Sequence, residues 1–302
     1  MATELPEVFL ARDHHRSVVA GLVRDGTWAR VRPGAFVDAR VLKSEDHPRT
    51  LALARIAALR TQLTADTVVS HTSAALLWGS PTLRTPAVTH VVQAFRARVG
   101  ASPDVARHRR VLSPDDVVVL HGVRVTSLER TVVDCTMSEP VRGGVVVADA
   151  ALHRGADRER CEGLLASLPG RRGVVRGRLA LDLADDGAES AGESLARVAL
   201  LEVGVPRPVT QVPVHTHLGT FWADLGWPEV RALAEYDGRG KYARRPADVV
   251  VEEKRREDAL LDSGWRLLRL TKEDLASPRA LTTRVRRTFP TLPLTPRPAL
   301  RR

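Results

Sequence analysis

The chain has 302 residues, 43% hydrophobic and 27% charged, a composition ordinary for a globular protein and long enough for two or three domains. Its net charge of +10 favours an anionic partner such as nucleic acid, although only four of the 46 basic residues are lysines, so an arginine-rich coding bias supplies part of that charge. No apolar run reaches the roughly 18 residues of a membrane span. The distant Cys135 and Cys161 read as small buried hydrophobes, with no Cys-x-x-Cys pair.

The first residues have neither a basic n-region nor an apolar core, so a cytoplasmic location without a membrane partner is expected. Residues 1–40 predict a small basic unit. Asp13 is placed to cap a helix over 14–24, with Val18, Val19, Leu22 and Val23 as its apolar stripe. A strand over 27–32, a Pro33–Gly34 turn and a returning strand over 35–37 follow. Helix then basic ribbon is the C-terminal half of a winged helix-turn-helix, in which the helix enters the major groove and the ribbon lies along phosphate. His15, Arg16 and Ser17 are then candidate base-reading residues, and Arg24, Arg30 and Arg32 candidate phosphate contacts. A small helix–hairpin packed on the next domain, its arginines merely solvated, fits the pattern equally well. Too few residues precede the helix for the usual supporting helices, so the unit is read as truncated.

Residues 41–155 predict an α+β region: helices over 50–62, 70–78 and 140–153, another opened by Ser127 as N-cap, and strands over 88–92 and 117–125. His71 and Asp134 fit a helix start and a core-edge ion pair better than a catalytic pair. Residues 156–186 read as a helical connector broken at 168–173. The proline-rich 289–302 reads as a disordered tail.

From 187 the order is helix (189–203), strand (209–215), hairpin, helix (248–262), strand (265–270). The hairpin places carboxylates inside apolar runs, Trp222 to Trp227 and Ala234 to Gly238. Period-two alternation puts Trp222, Asp224 and Gly226 on one face and Leu233, Glu235 and Asp237 on one face. Asp224 then lies opposite or diagonal to Glu235, and like charges facing each other in a sheet call for a cation. A divalent metal on hard oxygen ligands answers that need. Glu189 and Glu193 share a helix face at i, i+4, and Lys254, Arg255 and Arg256 lie on the second helix, where they also read as a solvated face.

This order and these residues resemble the PD-(D/E)XK nuclease superfamily, in particular its Vsr-related endonuclease branch, over about the last 100 residues. The whole chain resembles an actinobacterial architecture in which an AbiEi-type antitoxin region precedes that domain. Its N-terminal match rests on Leu22 to Val37, its middle match on Ser70 to Gly79 and Val125 to Asp134. The resemblance implies a mixed α/β protein with a restriction-endonuclease-like αβββαβ core over 187–288. It implies Mg²⁺ (or Mn²⁺) held by Asp224, Glu235 and Glu193, with the Tyr236 backbone carbonyl a further ligand. The family's usual cation two residues after the second acid is here Asp237, itself an added candidate ligand, which leaves Lys241 or Lys254 to replace the cation. Three functions follow: an endonuclease cleaving DNA, an AbiEi-like DNA-binding regulator whose nuclease-like domain does not cleave, or a protein-interaction module. A cognate toxin is the protein partner the resemblance implies.

Overall fold

The computed structural model describes residues 4–44, 46–62, 67–95, 102–238 and 247–295, with 297 and 300; Lys241 lies outside the described residues. The fold is mixed α/β, in two compact units: residues 1–138 with 156–177, and residues 139–155 with 178–302.

The first unit opens with β1 (Phe9–Leu10), α1 (Arg16–Arg24), β2 (Trp28–Arg32) and β3 (Ala35–Asp38), the strands forming an antiparallel sheet ordered β1-β3-β2. Trp28 stacks on Phe9 at 4.7 Å and on Phe36 at 5.7 Å, which fastens the three strands to one another. α1 is capped by His15, whose ring accepts the Ser17 N–H, and not by Asp13. None of its residues is buried, and Val18 and Val23 of the expected apolar stripe face solvent. The helix borders a sheet too narrow to cover it.

α2 (His47–Gln62) turns Ala54 and Ala58 to that small sheet, against Val31, Ala35 and Val37. Leu53, Ile56 and Leu59 join a second core with Val69, Val91 and Val125. One helix thus serves two cores, so residue 40 does not separate them. The second core lies on β4 (Val68–Val69), β5 (Thr89–Gln93), β6 (Val105–Arg109), β7 (Val117–Leu120) and β8 (Val123–Thr126), ordered β6-β5-β4-β8-β7, and under α3 (His71–Leu77). The single strand expected over 117–125 is a hairpin, because His121 and Gly122 take φ of 52° and 70°, the two positive angles of a tight turn. α4 (Leu128–Ser138) starts at the Ser127 cap as expected. α5 (Val141–His153) belongs to the second unit and α6 (Arg158–Ala166) to the first, so residues 156–186 are not one connector. Both cysteines are buried and unpaired with each other.

α7 (Val174–Leu183) leads into the second unit, where α8 (Ala191–Glu202), β9 (Val209–Thr216), β10 (Gly219–Trp227), β11 (Ala232–Tyr236), α9 (Ala247–Asp262) and β12 (Arg266–Leu270) follow in the expected order. The sheet runs β12-β11-β10-β9, with β9, β10 and β11 antiparallel in turn and β12 parallel to β11. α8 packs Ala196, Ala199 and Leu200 against Leu225, Trp227, Ala234 and Leu270. A separate cluster joins Val212, Val214, Ala223 and Leu233 to Leu260 of α9. Two further helices, α10 (Lys272–Ala276) and α11 (Pro278–Thr288), carry Leu275, Leu281 and Val285 into the α8 cluster.

The tail expected to be disordered is packed where it is described. Phe289, Leu292 and Leu300 are buried, and the Thr295 N–H donates to Gly204 O at 2.8 Å. The spaced apolar residues Phe289, Leu292 and Leu300 join the cores of the second unit.

Candidate active site

The β10–β11 hairpin pairs Leu225 with Ala234 and Gly226 with Leu233, and one step further along that register sets Asp224 across from Glu235. The alternation expected along β10 does not hold. Ala223 lies in the cluster of Leu260, whereas Leu225, two residues on, lies in that of Leu200. The break is at Asp224: pairing with β9 passes from Ala223↔Val212 to Leu225↔Thr210, and the skipped partner, Gln211, has φ of 50°. The register itself is unchanged, one residue opposite one, so the change of face accompanies the backbone conformation at Gln211 and not an inserted residue. Asp224 therefore does not simply share a face with Trp222 and Gly226. Its Oδ2 accepts the Tyr236 N–H at 2.8 Å.

Asp224, Glu235, Tyr236 and Asp237 line a polar cavity of about 430 Å³, joined by Glu193 of α8, Glu253 and Arg256 of α9, and Arg269 of β12. Glu193 sits in the first turn of α8 and makes a reciprocal cap: its carboxylate accepts the Glu189 N–H at 2.9 Å and the Ser190 hydroxyl at 2.8 Å, while Ser190 Oγ accepts the Glu193 N–H. Glu189 thus precedes the helix instead of sharing a face of it. Burial raises the Glu193 pKa above the ordinary carboxylate value; the cap hydrogen bonds oppose that, and the Asp224 charge adds to it.

Glu235 is also raised, by burial first, against the pull of Arg256 and Arg269. Arg256 Nη2 lies 2.6 Å from Glu235 Oε1 and donates to Trp222 O at 3.0 Å. Its guanidinium carbon is 5.7 Å from the Phe221 ring centroid, within cation–π range. Arg269 pairs with Glu235 across the parallel β11–β12 ladder and bonds Glu253 at 2.8 Å.

Of the two expected lysines, Lys241 lies outside the described residues, and among the described residues no lysine lines the cavity. Lys254 is exposed on α9 and outside the lining; Arg256, two positions on, turns inward instead. Glu253 and Arg256 are three apart on one helix face, a spacing legible in the sequence. Arg269 carried no local signal, because only the parallel pairing of β12 with β11 brings it beside Glu235.

As a donor set, Glu193, Asp224 and Glu235 fit a hard divalent cation, since all offer carboxylate oxygens from three elements to one cavity. Each now has a protein partner. Among the described residues no three of these acids bring oxygens within 4.8 Å of one another, so loading a cation requires side-chain rotation. The metal-ligating side chains that do converge that closely are His71, His90 and His108 of the first unit.

At the N-terminal unit, Arg16, Arg24 and Arg30 are exposed. His15 Nδ1 and Ser17 Oγ lie 2.8 Å apart and tie each other down at the helix start. Arg32, expected at phosphate, is instead buried, with Nε 3.1 Å from Asp104 Oδ2, so it is a structural cation and not a phosphate contact.

No family model matches the chain. Two Mycobacterium tuberculosis proteins, from two strains, are each 32% identical to it over 238 residues, covering 78% of this chain and 86% of theirs: "Uncharacterized protein MT2308" and "Uncharacterized protein Rv2248". The crystal structure of the RV2827C protein of the same organism aligns with a TM-score of 0.39 at 19% identity, over 69% of this chain and 83% of that one, too distant to carry an argument.

Proposed function

The chain belongs to the family of the mycobacterial proteins Rv2248 and MT2308, and we propose that it is a divalent-cation-dependent DNA endonuclease whose hydrolytic centre is the acidic cavity on α8, β10, β11 and α9. The observation that supports this is the delivery of Glu193, Asp224 and Glu235 to one cavity that also holds Arg256 and Arg269. Three carboxylates with two guanidiniums suit a metal-assisted attack on an anionic ester.

Asp224, Glu235 and Glu193, with the Tyr236 carbonyl, are the groups that would hold Mg²⁺ or Mn²⁺. When bound, the cation supplies an activated water and offsets charge building on the scissile phosphate. Arg256 and Arg269 bind and orient that phosphate, in the role the family gives to a lysine. Trp222, 58% exposed on β10, offers a stacking face to an unpaired base. Arg16, Arg24 and Arg30 add phosphate contacts from the N-terminal unit. Among the described residues no helix is long and apolar enough to cross a membrane, and a cytoplasmic location with access to DNA belongs to this reading.

A second reading has its own observation. The 2.6 Å contact between Arg256 and Glu235 occupies a ligand oxygen, as in a nuclease-like domain that binds DNA without cutting it. That would be a regulator of the AbiEi type, with a cognate toxin as its protein partner.

Incubating the full chain with plasmid and branched DNA separates the readings. Hydrolysis is expected with Mg²⁺ or Mn²⁺, abolished by EDTA, by Asp224→Ala and by Glu235→Gln. DNA binding without cleavage, unchanged in those variants, overturns the nuclease in favour of the regulator. Absence of DNA binding even at low salt leaves the protein-interaction role.

A further inference from the structure

We propose that His71, His90 and His108 form a binding site for a late first-row divalent metal, Zn²⁺ by preference, in the first unit of the chain. The site is separate from the acidic cavity and independent of the nuclease reading.

The three histidines come from three elements: α3, β5 and β6. β5 and β6 are parallel, with His90 beside Ala106 and Val92 beside His108, so His90 and His108 are diagonal neighbours on one face. α3 brings His71 onto the same cluster. His90 Nδ1 lies 3.0 Å from His108 Nε2, and one ligating nitrogen from each ring falls within 4.8 Å of the others. The three rings stack nearly parallel, His71 on His108 at 3.7 Å between centroids, and because an ion must lie in the plane of each ring that binds it, loading requires the rings to rotate. Two imidazolium ions would repel at that separation. Each neutral ring offers one nitrogen lone pair.

A second observation points the same way. Asp134 is buried, and its hydrogen bonds from Arg130 and Arg110 all go to Oδ1. Oδ2 has no hydrogen-bond partner and lies 4.0 Å from His71 Nδ1. For a His71 that ligates through Nε2, a carboxylate hydrogen-bonded to Nδ1 fixes the tautomer and raises basicity, and at 4.0 Å Asp134 Oδ2 is a small movement short of that bond. Ser70 Oγ, 2.9 Å from His71 Nδ1, is the other partner of that nitrogen. His71 is also held at φ of 52°, an uncommon value for a residue with a side chain.

The donor type selects the metal. Three neutral imidazoles suit Zn²⁺ and its neighbours and not Mg²⁺, which takes oxygen. Three protein ligands leave a further position on a tetrahedral ion for water or an anion. The ion would clamp β5 and β6 to α3.

The test is metal content and spectroscopy on the full-length protein, stripped with chelator and dialysed against Zn²⁺ or Co²⁺. About one equivalent of zinc is expected, with a cobalt form showing the visible absorption of a four-coordinate nitrogen-ligated ion. His90→Gln and His108→Gln, each on a partly exposed residue, should lose the bound metal while keeping their circular dichroism. Asp134→Asn should weaken affinity about 10–100-fold. Failure of the stripped wild-type chain to retain zinc or cobalt overturns the proposal. So does retention of a full equivalent in both histidine variants. Because Asp224→Ala leaves these ligands untouched, its zinc content should equal wild type whether or not it cleaves DNA.

Discussion

Arg256 reaches from α9 to place Nη2 2.6 Å from Glu235 Oε1, in a pair whose side chains are 30% and 12% exposed. A guanidinium there competes with any metal for the same oxygen and also supplies the positive charge a phosphate needs. Arg256→Ala should therefore split the two effects. Mn²⁺ affinity, read by calorimetry, should rise up to about tenfold, equivalent to roughly 1.4 kcal/mol, while cleavage falls. Arg256→Lys should recover part of the cleavage. Parallel losses of metal affinity and cleavage would contradict the assignment.

Gly192 lies in the first turn of α8, where an added Cβ would overlap the Tyr236 ring. Alanine there gains about 1 kcal/mol in helix propensity, but overpacking costs typically 1–3 kcal/mol. Gly192→Ala should lower stability in urea by about 1 kcal/mol net. Displacing Tyr236 also disturbs the N–H that holds Asp224, so metal affinity should fall in the same variant.

Asp149 and Arg197 are an ion pair with side chains 1% and 0% exposed, bonded at 2.7 and 2.9 Å through one guanidinium nitrogen. Removing one partner leaves a buried charge alone, so Asp149→Ala should cost about 3–5 kcal/mol in chemical denaturation. Asp149→Leu combined with Arg197→Met should recover most of that loss. If the double variant is no better than the single, the pair contributes through its other bonds, such as the Asp185 N–H to Asp149.

Arg30 and Arg32, two residues apart in β2, should behave differently. Arg30 is exposed and is expected to lose one phosphate contact on Arg30→Ala, reducing the slope of log affinity against log salt by about 1 without changing stability. Arg32→Ala instead strands Asp104 and should lower the melting temperature. An unaltered salt slope in Arg30→Ala would remove the N-terminal ribbon from the DNA-contacting surface.

Deleting residues 289–302 should destabilise the second unit. Phe289, Leu292 and Leu300 are each under 10% exposed, and burying a side chain of this kind contributes about 1.5–3 kcal/mol. A truncated chain with unchanged denaturation would show that the tail packs without contributing.

Much of the second unit was legible in the sequence. The helical run ending at Gly204 and the apolar runs of β9 to β12 place the elements within a residue or two. The carboxylates of the hairpin were legible for the same reason, since charge inside an apolar strand breaks a local rule. The histidine cluster was not. His71, His90 and His108 are 19 and 18 residues apart, a spacing that fits no local metal motif, and only the parallel pairing of β5 with β6 under α3 unites them.

Local patterning thus determined what needs only near neighbours: the element order of the second unit, the Ser127 cap of α4 and which strands carry acids. Tertiary structure decided what depends on register and packing. It turned Arg256 inward and left Lys254 in solvent, brought Arg269 beside Glu235, buried Arg32 on Asp104 and folded a proline-rich tail onto the core. The physical reason is one of range. Propensity and periodicity act over a few residues, whereas the partner of a charge is fixed by which distant strand or helix face meets it.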